Sequence, residues 1–441
     1  MNRREFIAVS AAALMVPRAT AANVPNILRA EDVAAQLLPT GDGLTGLWGF
    51  NGSAPGPELR VRQDEELALR FENGVDQGSA VHWHGIRLPN EMDGVPGLTQ
   101  TLVDAGQGFD YRFRPPDAGT FWYHSHTRSL EQVARGLHGP LIVEEPDAPE
   151  IDQDITVVLD DWRLSDSGEQ SRDFSSLHDL AHAGRLGNFA RAQFDPELRV
   201  QNGGRVRLRF INAATDRVFP LMVNGIAGKV VALDGMPLDR PADIKELTLA
   251  PAQRMDIIAD VTAGDGSAIE IVFPTREGPY DMGQIPVEGT SPRTGARPIM
   301  ALPPNPVAKP DQANAIPVEL LMEGGAMSAR MMSGVGEDDL WAFNGASGLQ
   351  AEPLHRFERG ETGRITLTND TRFAHGIHLH GHHFNEVGAD GSIGPLRDTS
   401  LVQAGQARDI DCVFDNPGKW LLHCHMLGHQ ASGMTTWIEV A

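Results

Sequence analysis

The sequence predicts an all-β protein made of three β-sandwich domains of related build. Two observations carry this. Short apolar runs are punctuated by Gly and Pro throughout, and a pair of short patterns recurs three times at domain spacing. Of 441 residues, 47 are Gly and 30 are Pro, and they fall between alternating runs as turns fall between strands. Apolar residues make up 41%, enough for several cores, and the length allows two to four domains of roughly 100–200 residues.

The first recurring pattern is a strand ending in Asn: Leu67-Ala68-Leu69-Arg70-Phe71-Glu72-Asn73, then Leu208-Arg209-Phe210-Ile211-Asn212, then Ile365-Thr366-Leu367-Thr368-Asn369. The second is a turn with a Gln: Ala105-Gly106-Gln107, Ala250-Pro251-Ala252-Gln253 and Ala404-Gly405-Gln406, each followed by an alternating strand such as Phe109-Asp110-Tyr111-Arg112-Phe113. The period is about 140–155 residues, one domain each. Helices are few; 129–137 and 176–190 are the candidate pieces. The Pro-rich stretch 290–315 reads as a linker into the last domain.

Ahead of the first domain lies Asn2-Arg3-Arg4-Glu5-Phe6-Ile7, an apolar run to Val16, and the small residues Ala19-Thr20-Ala21-Ala22. A charged start, a short apolar core and a small-residue cleavage site make a signal peptide over residues 1–21. The arginine pair resembles a twin-arginine export signal, which implies a periplasmic destination. No later segment is apolar for long enough to span a membrane. The net charge of −22 argues against a nucleic-acid partner, which would need a basic footprint. There are two cysteines, Cys412 and Cys424. Cys412 sits in an alternating stretch and reads as a buried small hydrophobe; Cys424 lies between two histidines, which points to metal chemistry.

The histidines fall into the register of the repeats. Asn73 to His82 is nine residues, and so is Asn369 to His378; Gln107 to His124 is seventeen, and so is Gln406 to His423. His82-Trp83-His84 thus aligns with His378-Leu379-His380, and His124-Ser125-His126 with His423-Cys424-His425. A strand turns residues i and i+2 to one face, so each pair aims two imidazoles the same way. In the middle repeat the same offsets land on Leu221, Val223, Glu270 and Val272, no ligand set, and that domain reads as a spacer. Imidazole suits several metals; the thiolate narrows the choice. Two His, one Cys and a weak axial Met are blue-copper ligands, and His375, Cys424, His429 and Met434 supply them. The corresponding positions of the first repeat are Ser79, Ser125, Leu130 and Arg135, so it holds no such centre.

Four segments, His82-Trp83-His84-Gly85, His124-Ser125-His126, His375-Gly376-Ile377-His378-Leu379-His380 and His423-Cys424-His425-Met426-Leu427-Gly428-His429, resemble the four signatures of the multicopper oxidase family, and the likeness spans the whole mature chain. The resemblance implies three cupredoxin-like Greek-key domains: domain 1 over 22–148, domain 2 (without copper) over 149–312 and domain 3 over 313–441. It implies four copper ions. His375, Cys424, His429 and Met434 would bind the type 1 ion, and His82 and His378 the type 2 ion. His84, His124, His126, His380, His423 and His425 would bind the type 3 pair. It also implies a catalytic role for Asp93 in proton delivery beside the type 2 copper, against the plain reading of Asp93-Gly94 as a turn, and for His423, Cys424 and His425 in carrying electrons inward.

The implied activity is one-electron oxidation of a small reductant, with dioxygen reduced to water, by a monomer. Phenols, aromatic amines and Cu(I) are all candidate donors. Met322, Met327, Met331 and Met332 are soft groups that would suit Cu(I), or ordinary core filling. Related cuprous oxidases place an Asp and a Met where this chain has Thr371 and Phe373, and an acid where it has Gln430. His355, His382 and His383 lie outside the signatures and read as surface or supporting groups. The rival readings are a copper-sequestration protein with incidental cuprous oxidase activity, a copper nitrite reductase, and a metal-free scaffold of the same fold.

Overall fold

The computed structural model describes residues 25–441 except 40, 246 and 293–297; the signal sequence lies outside the described residues. Strands dominate, and the four α-helices among the described residues are short: α1 Ser129–Ala134, α2 Leu177–Ala181, α3 Ala329–Met332 and α4 Leu427–Ala431. The predicted helix at 129–137 is α1. The one predicted over 176–190 shrinks to five residues. Gly184 has φ +89 and packs where a Cβ would strike the Asp216 side chain, and the chain then enters the strand Phe189–Gln193.

Each third of the chain folds as two sheets facing one another. The first third has two four-stranded sheets; the middle and last thirds each have one of six strands and one of five. The fold is cupredoxin-like, as predicted. The two recurring sequence patterns turn out to be partners. Strand Leu67–Asn73 pairs antiparallel with Gly108–Phe113, Arg205–Asn212 with Arg254–Val261, and Glu361–Asn369 with Ala407–Phe414.

The structure also explains why each repeat strand ends in Asn. All three side chains are buried. Asn73 Nδ2 donates to the carbonyls of Gln77 and Val103 at 2.7 and 2.9 Å, Asn212 Nδ2 to Arg217 and Leu249 at 2.8 and 2.9 Å, and Asn369 Nδ2 to Phe373 and Val402 at 2.8 and 3.1 Å. Each Oδ1 accepts from the backbone N–H two residues on. One side chain thereby bonds three backbone groups at the strand end; a buried group left without any partner costs roughly 1–3 kcal/mol.

The strands that carry the histidines are buried on both faces. Val81–His84, Gly119–Ser125 and His375–Leu379 have no exposed residue. A sandwich strand normally shows one face to water, so these strands must be covered on the outside as well. The cover is the neighbouring third of the chain. Polar contacts cross there: Arg254 of the middle third binds Asp398 of the last third at 2.9 and 2.5 Å and the Thr120 carbonyl of the first at 3.1 Å. Arg209 and Asp256 of the middle third meet Thr120 at 2.9 and 2.6 Å.

Candidate metal centres

Two clusters form, and the sequence-predicted histidines fall wholly into them. The smaller lies within the last third. Strand His375–Leu379 pairs with Gly418–Cys424 so that Ile377 sits opposite Cys424, and α4 returns His429 to the same point. Cys424 Sγ is 3.6 Å from His375 Nδ1 and 3.7 Å from His429 Nδ1, and the two Nδ1 atoms are 3.0 Å apart. Met434 is fully buried in the same core. His429 Nε2 lies 2.7 Å from the His182 carbonyl. A carbonyl only accepts, so Nε2 carries the proton and Nδ1 keeps a bare lone pair facing the sulfur. Burial brings His429 down to about 4 and pushes the Cys424 thiol well up. A thiolate there needs a cation beside it.

The larger cluster gathers His82, His84, His124 and His126 from the first third with His378, His380, His423 and His425 from the last. His84 and His378 stack at 3.7 Å between ring centroids, and His82 and His380 at 3.9 Å. Each pair joins one ring from each third. The outward nitrogens of four rings donate to carbonyls: His82 Nδ1 to Asp93 at 2.8 Å, His124 Nδ1 to Ser125 at 2.9 Å, His378 Nδ1 to Asp398 at 2.8 Å and His423 Nδ1 to Cys424 at 2.9 Å. His380 Nδ1 and His84 Nε2 face the carboxylates of Asp93 and Asp398, at 3.0 and 3.2 Å. With protons held on that side, the inward nitrogens are bare. Buried His82 Nε2, His84 Nδ1, His126 Nε2 and His378 Nε2 have no hydrogen-bond partner. His380 Nε2 and His423 Nε2 lie 3.2 Å apart, and His124 Nε2 and His425 Nε2 3.4 Å apart. Burial holds His84, His124, His126, His378, His380, His423 and His425 below their ordinary pKa. Neutral imidazoles aimed at one another from all sides are what bound cations require.

Asp93 sits in the turn its sequence suggested. It ends the turn Asn90–Met92, and Gly94 (φ +81) passes so close to Val81 O that a Cβ would lie 1.9 Å from it. Its buried carboxylate nevertheless faces His380, and His82 Nδ1 at 3.3 Å. Sequence reasoning missed Asp398. Burial opposes its ionisation, but the Arg254 guanidinium, His84 and His378 hold it well below the usual carboxylate range. It reaches the cluster because strand Thr399–Val402 pairs with His375–Leu379, and no spacing motif marks it.

The other singled-out residues resolve as follows. Ser79 and Ser125, which occupy in the first third the places of His375 and Cys424, lie 3.3 Å apart and both donate to Gln132 Oε1; a hydrogen-bonded plug fills the ligand positions. Cys412 is buried. His382 and His383 are buried, and His383 Nε2 lies 3.7 Å from Asp398; His355 is half-buried beside Phe357. Met322 is core, whereas Met327 and Met332 are 67% and 75% exposed, so the four methionines do not form one cluster. Thr371 Oγ1 is 2.8 Å from His375 Nε2. Gln430 and His126 line a cleft of 630 Å³ beside α1 and α4.

Comparison with known proteins agrees with this geometry. Residues 34–148, 153–267 and 317–441 each match a domain described as multicopper oxidase. Multicopper oxidase MmcO of Mycobacterium tuberculosis is 30% identical over 88% of this chain and 82% of its own. A copper resistance protein A homolog of Pseudomonas syringae pv. tomato is 25% identical over 92% of this chain and 90% of its own. The crystal structure of Lac15, from a marine microbial metagenome, superposes with a TM-score of 0.82 at 55% identity, covering 94% of this chain and all of that one. The chain belongs to the multicopper oxidase family.

Proposed function

We propose that this protein is an exported, monomeric oxidase holding four copper ions, which takes electrons singly from a small donor and passes them to dioxygen. His375, Cys424, His429 and Met434 would hold the type 1 ion, His82 and His378 the type 2 ion, and His84, His124, His126, His380, His423 and His425 the type 3 pair. The observation that carries this is the convergence of bare, buried imidazole nitrogens from two thirds of the chain, beside a separate Cys-His-His set. Bound copper would supply the redox couple and the oxygen chemistry.

The chain's own part is to orient, connect and supply protons. Backbone carbonyls fix the ring tautomers before any metal arrives. Cys424 lies between His423 and His425 in one strand, and its carbonyl accepts from His423 Nδ1, so the two clusters are joined both by covalent bonds and by this hydrogen bond. Asp93 and Asp398 accept from the ring N–H groups of His380 and His84; Asp398 is held ionised against Arg254, and Asp93 is the one placed to pass protons inward. The cleft at His126 gives solvent and dioxygen a way to the larger cluster. Gln430 on its wall cannot donate a proton as an acid would, which leaves Asp93 as the proton-handling group. Of three rivals, sequestration is the one favoured by a specific observation, the exposed Met327 and Met332.

The test is oxygen uptake by the copper-loaded mature protein with Cu(I) and with a dimethoxyphenol, recorded beside the visible spectrum. An intense thiolate-to-copper band with uptake from either donor supports the reading, and the faster donor identifies the substrate class. A colourless, fully loaded protein that consumes no oxygen would sink it and leave sequestration standing.

A further inference from the structure

The ring edge of His429, through which electrons would be expected to enter from outside, is covered. His429 is fully buried. Over it lies the end of α2, contributed by the middle third of the chain. Three consecutive carbonyls of that segment each accept a hydrogen bond from the last third: Leu180 from Trp341 Nε1 at 2.7 Å, Ala181 from Ala326 N–H at 2.7 Å and His182 from His429 Nε2 at 2.7 Å. These are the carbonyls that a helix C-terminus leaves without partners. The segment is pinned further back as well. Asp179 binds Arg163 at 2.7 and 3.1 Å. Asp216 accepts from Arg185 N–H at 3.1 Å and from Gly428 N–H at 3.0 Å, joining the cap to α4, which carries His429.

What faces solvent at this point is the His182 imidazole, half-buried, with the exposed His178 ring 4.2 Å away and Phe373 at 5.7 Å. We infer that His182 is the electron-entry residue: a donor meets its ring, and the electron reaches His429 through the His182 main chain and its C=O···H–Nε2 hydrogen bond. This rests on the reading of His429 as a type 1 ligand. The donor gives up one electron, a phenol also releasing its proton to bulk water, and the copper held by Cys424 takes the electron up. Because contact is made on a half-buried ring at the surface and not in a closed pocket, donors are selected by their reduction potential rather than by shape.

The experiment compares the wild type with His182→Gly and His182→Gln, both of which keep the carbonyl. In the metal-free proteins, imidazole NMR should show a slowly exchanging His429 Nε2–H in all three. In the loaded proteins the visible band should be unchanged, while kcat/KM for organic one-electron donors drops by up to about 10²-fold in both variants, the order by which ångström-scale misplacement lowers rates. Across a donor series, wild-type kcat/KM should follow potential and not size. A retained band with unaltered kcat/KM in both variants, or bulky donors slower than small ones of equal potential, would overturn this inference alone. A wild type without the band would overturn the copper reading and this inference with it.

Discussion

Replacing Asp398 with Asn tests whether one carboxylate holds the inter-domain cluster together. Asp398 is completely buried and binds the Arg254 guanidinium through both oxygens while facing His84 Nε2. Asn carries no charge and has one accepting oxygen: placed as Oδ1 it can still meet Arg254 Nη1 and His84 Nε2, but its NH2 group then faces Arg254 Nη2 where Oδ2 accepted before. Arg254, itself fully buried, is then left with Asp234 as its charged partner at 3.9 Å, and Asp234 is already engaged by Arg397 at 2.6 Å. Breaking a buried pair from one side costs about 3–5 kcal/mol. Losing the support behind a metal-ligating His costs about 10–100-fold in metal affinity. The assay is urea denaturation of the metal-free protein, with copper retention after dialysis against a chelator. The pH dependence has a definite sign. Asp398 is held below its unfolded value, so its contribution is present above about pH 4 and is lost as the pH falls further, through its folded value. The gap between wild type and variant should therefore persist from neutrality to about that pH and close in stronger acid. Equal denaturation midpoints at pH 7, with equal copper retention, would refute the argument that Asp398 balances Arg254.

Asp93→Asn should leave the visible band intact and lower oxygen uptake by about 10²–10⁴-fold, the usual range for a lost proton-transfer group; uptake within twofold of wild type would remove Asp93 from the mechanism. Cys424→Ser should abolish the visible band and turnover while the metal-free protein keeps its circular dichroism spectrum. Asn369→Ala should destabilise by roughly 2–3 kcal/mol in urea, since it removes the Asn369 hydrogen bonds to the Val402 carbonyl and Thr371 N–H and one of two at the Phe373 carbonyl, and the loss should exceed that of an exposed substitution such as Asn314→Ala. The metal-free protein should lose stability as pH falls from about 6.5 to the His429 value of about 4, because the unfolded chain takes up protons that the buried imidazoles refuse; copper loading competes with those protons and should raise the midpoint most near neutrality.

The clusters were legible because their determinants are local. A strand has a side-chain period of two, so His-x-His is a statement about one face, and equal offsets from Asn73 and Asn369 tied the first and last thirds together. The thiolate at Cys424 announced the second centre in the same way. What escaped was tertiary. Asp398 and Arg254 meet across 144 residues of chain, and neither sits at a spacing that sets it apart. The cap on His429 needs the middle third, which carries none of the predicted ligands and read as a spacer. The helix predicted at 176–190 failed because its apolar residues pack against other elements around Gly184, where periodicity says nothing of what the chain must fit between. The repeated Asn was visible, but its reason, a staple closing three backbone groups, is not.

The carbonyl anchors behind the rings have a consequence for how the protein matures. His124 is oriented by the backbone of Ser125 and His423 by that of Cys424, each within its own strand. These two rings are thus set by their own strands, while His380 and His84 take their orientation from Asp93 and Asp398 across the boundary, so the cavity is complete once the first and last thirds have docked. On the proposed copper reading, metal insertion would then be a late event on a finished protein, with the cleft beside His126 as its doorway, polypeptide first and metal afterwards.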